Sequence, residues 1–422
     1  MTPAPSVDPA AVRSRLGVTE HDPLEIDGFG ISGTVRPRDA KEMAGTLSEL
    51  QGSGMGLLIQ GGGTALERGN LPARADLVLA TGAMRGIDEF DANDGVMHVQ
   101  AGTPLSEVEA AAAAEGWEVP LDPPGDGATV GGVLARAGTG PRELGWGPVR
   151  DCVLGLDVVL PGGVRTHCGG RVVKNVTGFD LAKLYTGSLG SLGIIDGAWL
   201  RLKPRAEVVQ ALHGWGRDRS RVLDGALRAS RRSTSRAVAV ASPAAAGQIE
   251  GEESGAWHWW IELAGESAAV ERDANALLEE SPEAREVSSG LHEVRAFQGQ
   301  CLEPSGLRAR LDLVPTDLAK VSAALSKTAP VQLIYPGLGT LYAYSDTQGV
   351  EPAERACFDA ARAVEEGQRP RSRVCLEALP PGAKVGRDIF SLPSGERVLL
   401  QALKQRFDPE ALLNPGRGPG GL

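Results

Sequence analysis

The groups best placed to do chemistry in this chain are main-chain amides left open by glycine, with the hydroxyls beside them. Gln60-Gly-Gly-Gly-Thr64, Asp126-Gly-Ala-Thr-Val-Gly-Gly132 and Gly187-Ser-Leu-Gly-Ser-Leu-Gly193 each follow or open an apolar stretch, where a strand would hand over to a loop. Glycine takes positive φ freely and lets N–H groups come close to a ligand. Several such loops in one segment imply a large polyanionic group held by main-chain donors. The hydroxyls of Thr64 and Thr129 can add to that set, so no cluster of lysines is needed.

Other chemistries are less well supplied. Six histidines (His21, His98, His167, His213, His258 and His292) stand at no metal-ligand spacing in the sequence, so no metal site is expected. Five cysteines (Cys152, Cys168, Cys301, Cys357 and Cys375) form no CxxC pair, which argues against an iron–sulfur cluster or structural zinc in this chain. Gly28-Phe-Gly-Ile-Ser-Gly33 spells GxGxxG, yet it is preceded by polar residues and followed by a strand pattern, the wrong setting for a dinucleotide turn. No P-loop motif occurs. The net charge of −11 disfavours nucleic acid and anionic lipid as partners. No stretch nears the roughly 20 apolar residues of a membrane span, and a cytoplasmic protein without an integral membrane segment is expected.

The loops need elements to hold them. Asp39 reads as the N-cap of a helix with Met43, Leu47 and Leu50 on one face. Residues 56–59 read as a short buried strand ending at the first glycine loop. Strands over 77–79 and 96–100, a helix over 103–115, and strands over 153–160, 164–167 and 194–202 follow. Past Pro204 the glycine loops thin out and an α+β texture continues without a recognisable repeat. Trp257-His-Trp-Trp260 reads as an amphipathic strand with tryptophans on the core. The expected organisation is a flexible segment over 1–27, a cofactor domain over 28–205, a second α+β domain over 206–394, and a C-terminal segment over 395–422.

Taken in order, Gln60–Thr64, Leu121-Asp-Pro-Pro124, Ala128–Gly132, Gly140-Pro-Arg142, Gly169-Gly-Arg-Val-Val-Lys-Asn175, Gly178-Phe-Asp-Leu181, Gly187–Gly193 and Leu413-Asn-Pro-Gly-Arg417 resemble the vanillyl-alcohol-oxidase (PCMH-type) FAD-binding flavoproteins. Within that family, residues 169–175 are similar to the FAD-binding subunit of bacterial glycolate oxidase complexes. The resemblance implies an α+β fold: a two-subdomain PCMH-type FAD-binding domain with an α+β cap. It implies that Gln60, Gly61, Gly62, Gly63 and Thr64 form the pyrophosphate loop. Pro124, Ala128, Thr129, Val130, Gly131 and Gly132 would form a second loop. Gly187, Ser188, Gly190, Gly193, Ile194 and Ile195 would lie along the adenosine half, with Asn414 returning from the C-terminus. No histidine stands in the first loop, so FAD is expected to be noncovalent.

The function so implied is that of an FAD-binding oxidoreductase subunit, in a complex oxidising a small 2-hydroxy acid such as glycolate or D-lactate. Its partners would be a second FAD-binding catalytic subunit and an iron–sulfur subunit, and these could hold it at the inner face of the membrane. At the place where related dehydrogenases carry a histidine-rich segment, this chain reads Gln332-Leu-Ile-Tyr-Pro-Gly-Leu-Gly-Thr-Leu-Tyr342 and names no catalytic base. Two other readings stay open. One is a self-sufficient FAD oxidase or dehydrogenase of a different small hydroxylated substrate, with Tyr335, Tyr342, Arg373 or another cap residue binding the carboxylate; the other is a noncatalytic flavin-domain scaffold.

Overall fold

A computed structural model describes residues 9–18, 24–171, 179–251, 254–288, 291–300, 306–346, 348–365, 372–390, 392 and 394–422. Residues 172–175 of the glycine-rich 169–175 motif, Gly178 and Cys301 lie outside them. The earliest elements form from local signals. The Asp39 carboxylate accepts the Glu42 N–H at 2.8 Å and starts the helix Ala40–Leu50. That helix buries Met43, Leu47 and Leu50 against a three-stranded parallel sheet of Thr34–Val35, Leu77–Ala80 and Leu57–Gln60. Where a flexible lead-in is expected, Pro9–Arg15 is helical with Val12 fully buried, and Leu24–Ile26 pairs with Phe29–Ile31. The GxGxxG run is thus the turn and second strand of a hairpin, with no helix behind it.

A second, five-stranded antiparallel sheet packs beside the first. Its order is Arg165–Gly169, Val153–Val159, Ile194–Arg201, Val96–Gln100 and Ile87–Asp91. The helices Leu105–Ala114 and Val130–Arg136 cover its apolar face. The C-terminal segment closes back on the first sheet: the Leu57 N–H donates to Leu412 O at 2.8 Å, and the Asn414 N–H to Leu57 O at 2.8 Å. Buried Lys404 fixes this return, its Nζ donating to Asp408, to Ser191 O and to Leu413 O.

Past residue 204 the chain builds an eight-stranded, wholly antiparallel sheet with a hidden symmetry. Strands Val208–Gly216, Ser235–Ala241, Trp257–Gly265 and Arg285–Val287 lie in spatial order 4-1-3-2; strands Leu307–Asp312, Val331–Tyr335, Thr340–Ser345 and Arg373–Ala378 lie in order 2-3-1-4. The second half is a βαββαβ unit, and the first is the same with the helix Pro243–Glu250 added between its second and third strands; the two join edge to edge through their second strands. Alternation along the strands sorts the faces. Trp257, Trp259, Ile261, Leu311, Leu341 and Leu376 face a core under four helices, Arg219–Ala229, Ser267–Glu280, Leu318–Leu325 and Val350–Glu365. Trp260, Leu333, Tyr335, Tyr342 and Tyr344 occupy the opposite face with helices Pro243–Glu250 and Leu291–Gly299. Among the described residues, no helix is long and apolar enough to cross a membrane.

Candidate functional site

A cleft enclosing about 1120 Å3, open solvent included, runs between the two sheets of the first region and ends beneath the cap. Of the residues singled out from the sequence, Gly61, Gly62, Gly63, Thr64, Pro124, Ala128, Thr129, Gly131, Gly132, Gly190, Ile194, Ile195 and Asn414 line it. Gln60, Val130, Gly187, Ser188 and Gly193 do not, and each has other work. The Gln60 carbonyl accepts the Thr81 hydroxyl at 3.3 Å, Val130 is fully buried, and the Gly187 N–H donates to Leu134 O at 2.9 Å. The Ser188 carbonyl accepts the Ser191 hydroxyl, while a Cβ on Gly193 would stand 2.6 Å from Val158.

The glycines are needed for a more specific reason than open space. A Cβ on Gly62 would strike the Gly127 carbonyl oxygen, and one on Gly131 would stand 2.6 Å from the Ala101 Cβ. So the two loops lie against each other and against the five-stranded sheet, and only glycine permits that approach. Thr129 caps the helix Val130–Arg136 by accepting the Gly132 N–H. Asn414 ties the far wall: its Oδ1 accepts the Ile59 N–H at 3.0 Å, and its Nδ2 donates to Leu189 O at 2.6 Å. Arg417, also in the lining, holds Asp27 with Nη1 at 2.5 Å and donates to the Arg68 carbonyl with Nη2 at 2.6 Å.

The cap end of the cavity is electrostatically distinct. Arg68 and Arg136 line it, and behind them lie Arg308 and Arg310 of the cap. Glu377, 2 % exposed, is 2.6 Å from Arg68, 3.6 Å from Arg136 and 3.3 Å from Arg308. Arg310 pairs with Asp312, and Arg308 also meets the half-exposed Glu67. Four guanidinium groups therefore face three carboxylates, of which only Glu377 is deeply buried. Burial pushes the Glu377 carboxyl up, but the four arginines outweigh it and hold it down at about 2. Burial, with Arg68 beside it, brings Arg136 down to about 9, Glu377 only partly offsetting this. Arg136 Nε is buried and makes no hydrogen bond among the described residues.

Ion pairs also clamp the cap to the first region. Arg142 binds Glu262 through two bonds of 2.9 Å, Arg236 joins Glu262 to Glu118, and Arg295 pairs with Asp122 at 2.8 Å. The carboxylate-binding roles considered for Tyr335, Tyr342 and Arg373 do not fit this arrangement. Tyr335 donates to Gln298 Oε1, and Gln298 Nε2 donates to the Tyr342 hydroxyl, both out of the cavity. Arg373 is half-exposed and paired with Glu396. Sequence reasoning missed Arg68, Arg136 and the carboxylate they share. Glu377 lies some three hundred positions from Arg68, so no local pattern could bring them together.

The geometry defines a class. Residues 31–169 match the model of the FAD binding domain family. The fold is shared with p-cresol methylhydroxylase (TM-score 0.68, 16% identity, covering 92% of this chain and 88% of that one). It is shared also with 4-ethylphenol oxidase from Gulosibacter chungangensis (TM-score 0.69, 14% identity, covering 94% and 90%). Residues 31–169 thus form an FAD-binding domain, and FAD is its cofactor.

Sequence similarity then narrows the field. The chain is 35% identical to D-lactate dehydrogenase of Archaeoglobus fulgidus over 171 residues (40% of this chain, 38% of the relative). It is 41% identical to glycolate oxidase subunit GlcE of Escherichia coli over 123 residues (29% and 35%). With glycolate oxidase subunit GlcD of Bacillus subtilis it shares 34% identity over 179 residues (42% and 38%). The matches span little more than a third of the length of these relatives.

Proposed function

We propose that this chain is an FAD-binding oxidoreductase subunit of a glycolate-oxidase-type complex that oxidises a small 2-hydroxy acid to the 2-oxo acid. Residues 28–205 with 395–422 would hold the cofactor and 206–394 form the cap. The observation that carries the reading is the make-up of the cavity wall. It offers the guanidinium groups of Arg68, Arg136 and Arg417, but among its described residues no histidine, carboxylate, lysine, cysteine or tyrosine.

FAD, when bound, supplies the acceptor for two electrons. The residues of the chain would do the rest of the holding. The loop 61–64 and residues 127–129 would offer main-chain N–H groups to the pyrophosphate, while the Val130, Gly131 and Gly132 N–H groups already donate to Thr103 O, Ala101 O and the Thr129 hydroxyl; the wall at Gly190, Ile194 and Ile195 suits the adenosine half. A wall without histidine, cysteine or tyrosine supports noncovalent binding. Arg136, buried and with an unused Nε–H, suits a carboxylate at the cap end. A subunit acting beside a catalytic flavin subunit and an iron–sulfur subunit is preferred over a self-sufficient enzyme because of the similarity to the glycolate oxidase subunits GlcE and GlcD.

The test is spectroscopic. The purified chain should be yellow and release its flavin on acid precipitation. Under anaerobic conditions its flavin should stay oxidised with glycolate or D-lactate, and bleach once a catalytic partner subunit is added. Bleaching by the isolated chain would establish the self-sufficient enzyme instead. A folded, colourless protein that FAD cannot reconstitute would overturn the reading.

A further inference from the structure

The first half of the cap sheet carries a cluster that the cavity does not use. Strands Val208–Gly216 and Trp257–Gly265 pair antiparallel with His213 opposite Trp260 and Trp215 opposite His258. His213 and His258 are therefore diagonal neighbours on one face, a separation that two imidazoles can bridge. The helix Pro243–Glu250 ends over this face, and its last residue, Glu250, brings a carboxylate to them. His213 Nε2 lies 3.1 Å from His258 Nδ1; Glu250 Oε1 is 3.1 Å from His213 Nε2, and Oε2 is 3.5 Å from His258 Nδ1.

The proton count makes this an uneasy arrangement as it stands. His258 Nε2 is 2.7 Å from Ser254 Oγ, a hydroxyl that also accepts the Ala256 N–H. In the tautomer whose Nε2–H donates to Ser254, His258 presents a bare lone pair at Nδ1. His213 Nε2 then has one proton for two acceptors, the Nδ1 lone pair and the carboxylate. Protonating a ring to supply more is opposed by burial, for His213 is 2 % exposed and His258 5 %. His213 is stacked on Trp260 at 5.0 Å with 9° between planes, and on the outer side Arg285 sits over Trp215 and adds positive charge.

We propose that His213, His258 and Glu250 form a three-ligand site for a zinc-type divalent transition-metal ion. Four donors arranged tetrahedrally at bonds of about 2.0–2.1 Å stand about 3.3 Å from one another. The two histidine nitrogens stand 3.1 Å apart, Glu250 places one carboxylate oxygen 3.1 Å from His213 Nε2 and the other 3.5 Å from His258 Nδ1, and one donor from each side chain lies within 4.8 Å of the others. Two imidazoles with one carboxylate suit zinc and its neighbours, not magnesium or calcium, which take oxygen. Ser254 orients the His258 ring through its second nitrogen, as metal-bound histidines require. Glu250, whose side chain is 29 % exposed, leaves the fourth position toward solvent, where water would complete the shell. None of the three residues lines the FAD cavity. The ion would fasten the end of helix Pro243–Glu250 to the strand pair, and its role is to stabilise the cap.

The experiment uses the untagged, FAD-loaded chain, stripped with EDTA and desalted, then titrated calorimetrically with zinc chloride. One saturable equivalent is expected, with a thermal midpoint that rises with zinc and does not respond to the same concentration of magnesium. His258→Asn should abolish that binding. Glu250→Gln should weaken it at least about tenfold; this exposed substitution serves where the histidine variant fails to fold, with flavin content as the check on folding. Absence of saturable binding by the wild-type chain, or unchanged affinity in Glu250→Gln, would overturn the proposal and leave the cluster as a shared-proton hydrogen-bond group.

Discussion

The cradle and the cap face solve the same problem with different materials. Around the loops 61–64 and 127–132 the wall is main chain, and side chains matter chiefly by being absent. On the inner face of the cap, Arg308, Arg310, Glu377 and Glu262 supply the charge, each from a strand interior. Backbone recognition is fixed as soon as the loops close, so it costs no rotamer freedom, but it tolerates no added bulk. Side-chain recognition tolerates small changes of shape, yet every buried charge depends on its partner. The two regions should therefore break in opposite ways.

The largest effect belongs to the cradle. Gly62→Val places a branched side chain against the Gly127 carbonyl and should drive the two loops apart. The expected outcome is a folded protein that has lost essentially all bound flavin, read as flavin absorbance per mole of protein alongside circular dichroism. Normal flavin content in this variant would show that the loop contact is dispensable and erase the contrast.

Next in size is Glu377→Gln on the cap side. Glu377 is the one deeply buried anion among four arginines, and removing its charge takes from Arg68 and Arg136 the carboxylate they share. A loss of roughly 3–5 kcal/mol is expected in urea unfolding. The pH dependence gives an independent reading. The folded-state pKa of Glu377 is depressed from 4.5 to about 2, so its contribution is complete above about pH 4.5 and disappears as pH falls through about 2. The stability gap between wild type and Glu377→Gln should narrow over this window. A gap that stays constant with pH would mean the carboxylate is not ionised among its arginines.

These two regions also differ in how far they could be read from the sequence. Asp39 as a cap and Met43, Leu47 and Leu50 as a buried stripe follow from local spacing, and the structure places them as read; of the glycine loops, 61–64 follows a strand, 127–132 leads into the helix Val130–Arg136, and 187–193 joins the helix Ala182–Tyr185 to the strand Ile194–Arg201. The cap gave only texture. Its two halves share a strand order but no visible repeat, because β-sheet order is set by long-range pairing and the inward positions differ between halves. One half presents His213, His258 and Trp260; the other presents Arg308, Arg310 and Tyr342. The histidines illustrate the limit. They are 45 positions apart, meet only through strand register, and show no metal-ligand spacing in the chain. Gln60, Val130, Gly187, Ser188 and Gly193 mark a different limit, since a motif residue can serve the fold of a loop and not its ligand.

Arg136→Met should have a smaller and more selective effect. It removes a guanidinium whose Nε makes no described hydrogen bond, so stability should hold or rise slightly, and flavin content should not change. The anion affinity of the cap end should fall. Oxalate, a two-carboxylate probe, should perturb the flavin spectrum of the wild type at concentrations about ten- to a hundredfold lower than in the variant, as expected for a charged hydrogen bond worth roughly 1.5–3 kcal/mol. Equal oxalate titrations would remove Arg136 from the anion site.

The smallest expected effect sharpens the comparison most. Thr64 lines the cavity beside Gly63, and its methyl lies where a Cβ on Gly127 would stand 3.5 Å away. Thr64→Val keeps that packing and deletes only the hydroxyl. If phosphate oxygens are held mainly by main-chain N–H groups, the lost side-chain bond is worth roughly 0.5–1.5 kcal/mol, and FAD affinity should fall by no more than about tenfold. The same measurement on Gly62→Val should show no retained flavin at all. A Thr64→Val protein as empty as Gly62→Val would mean that the hydroxyl, not the backbone, dominates the cradle. The apparent division between a main-chain cradle and a side-chain cap would then be wrong at its first term, because the glycines would be serving only to bring one threonine into place.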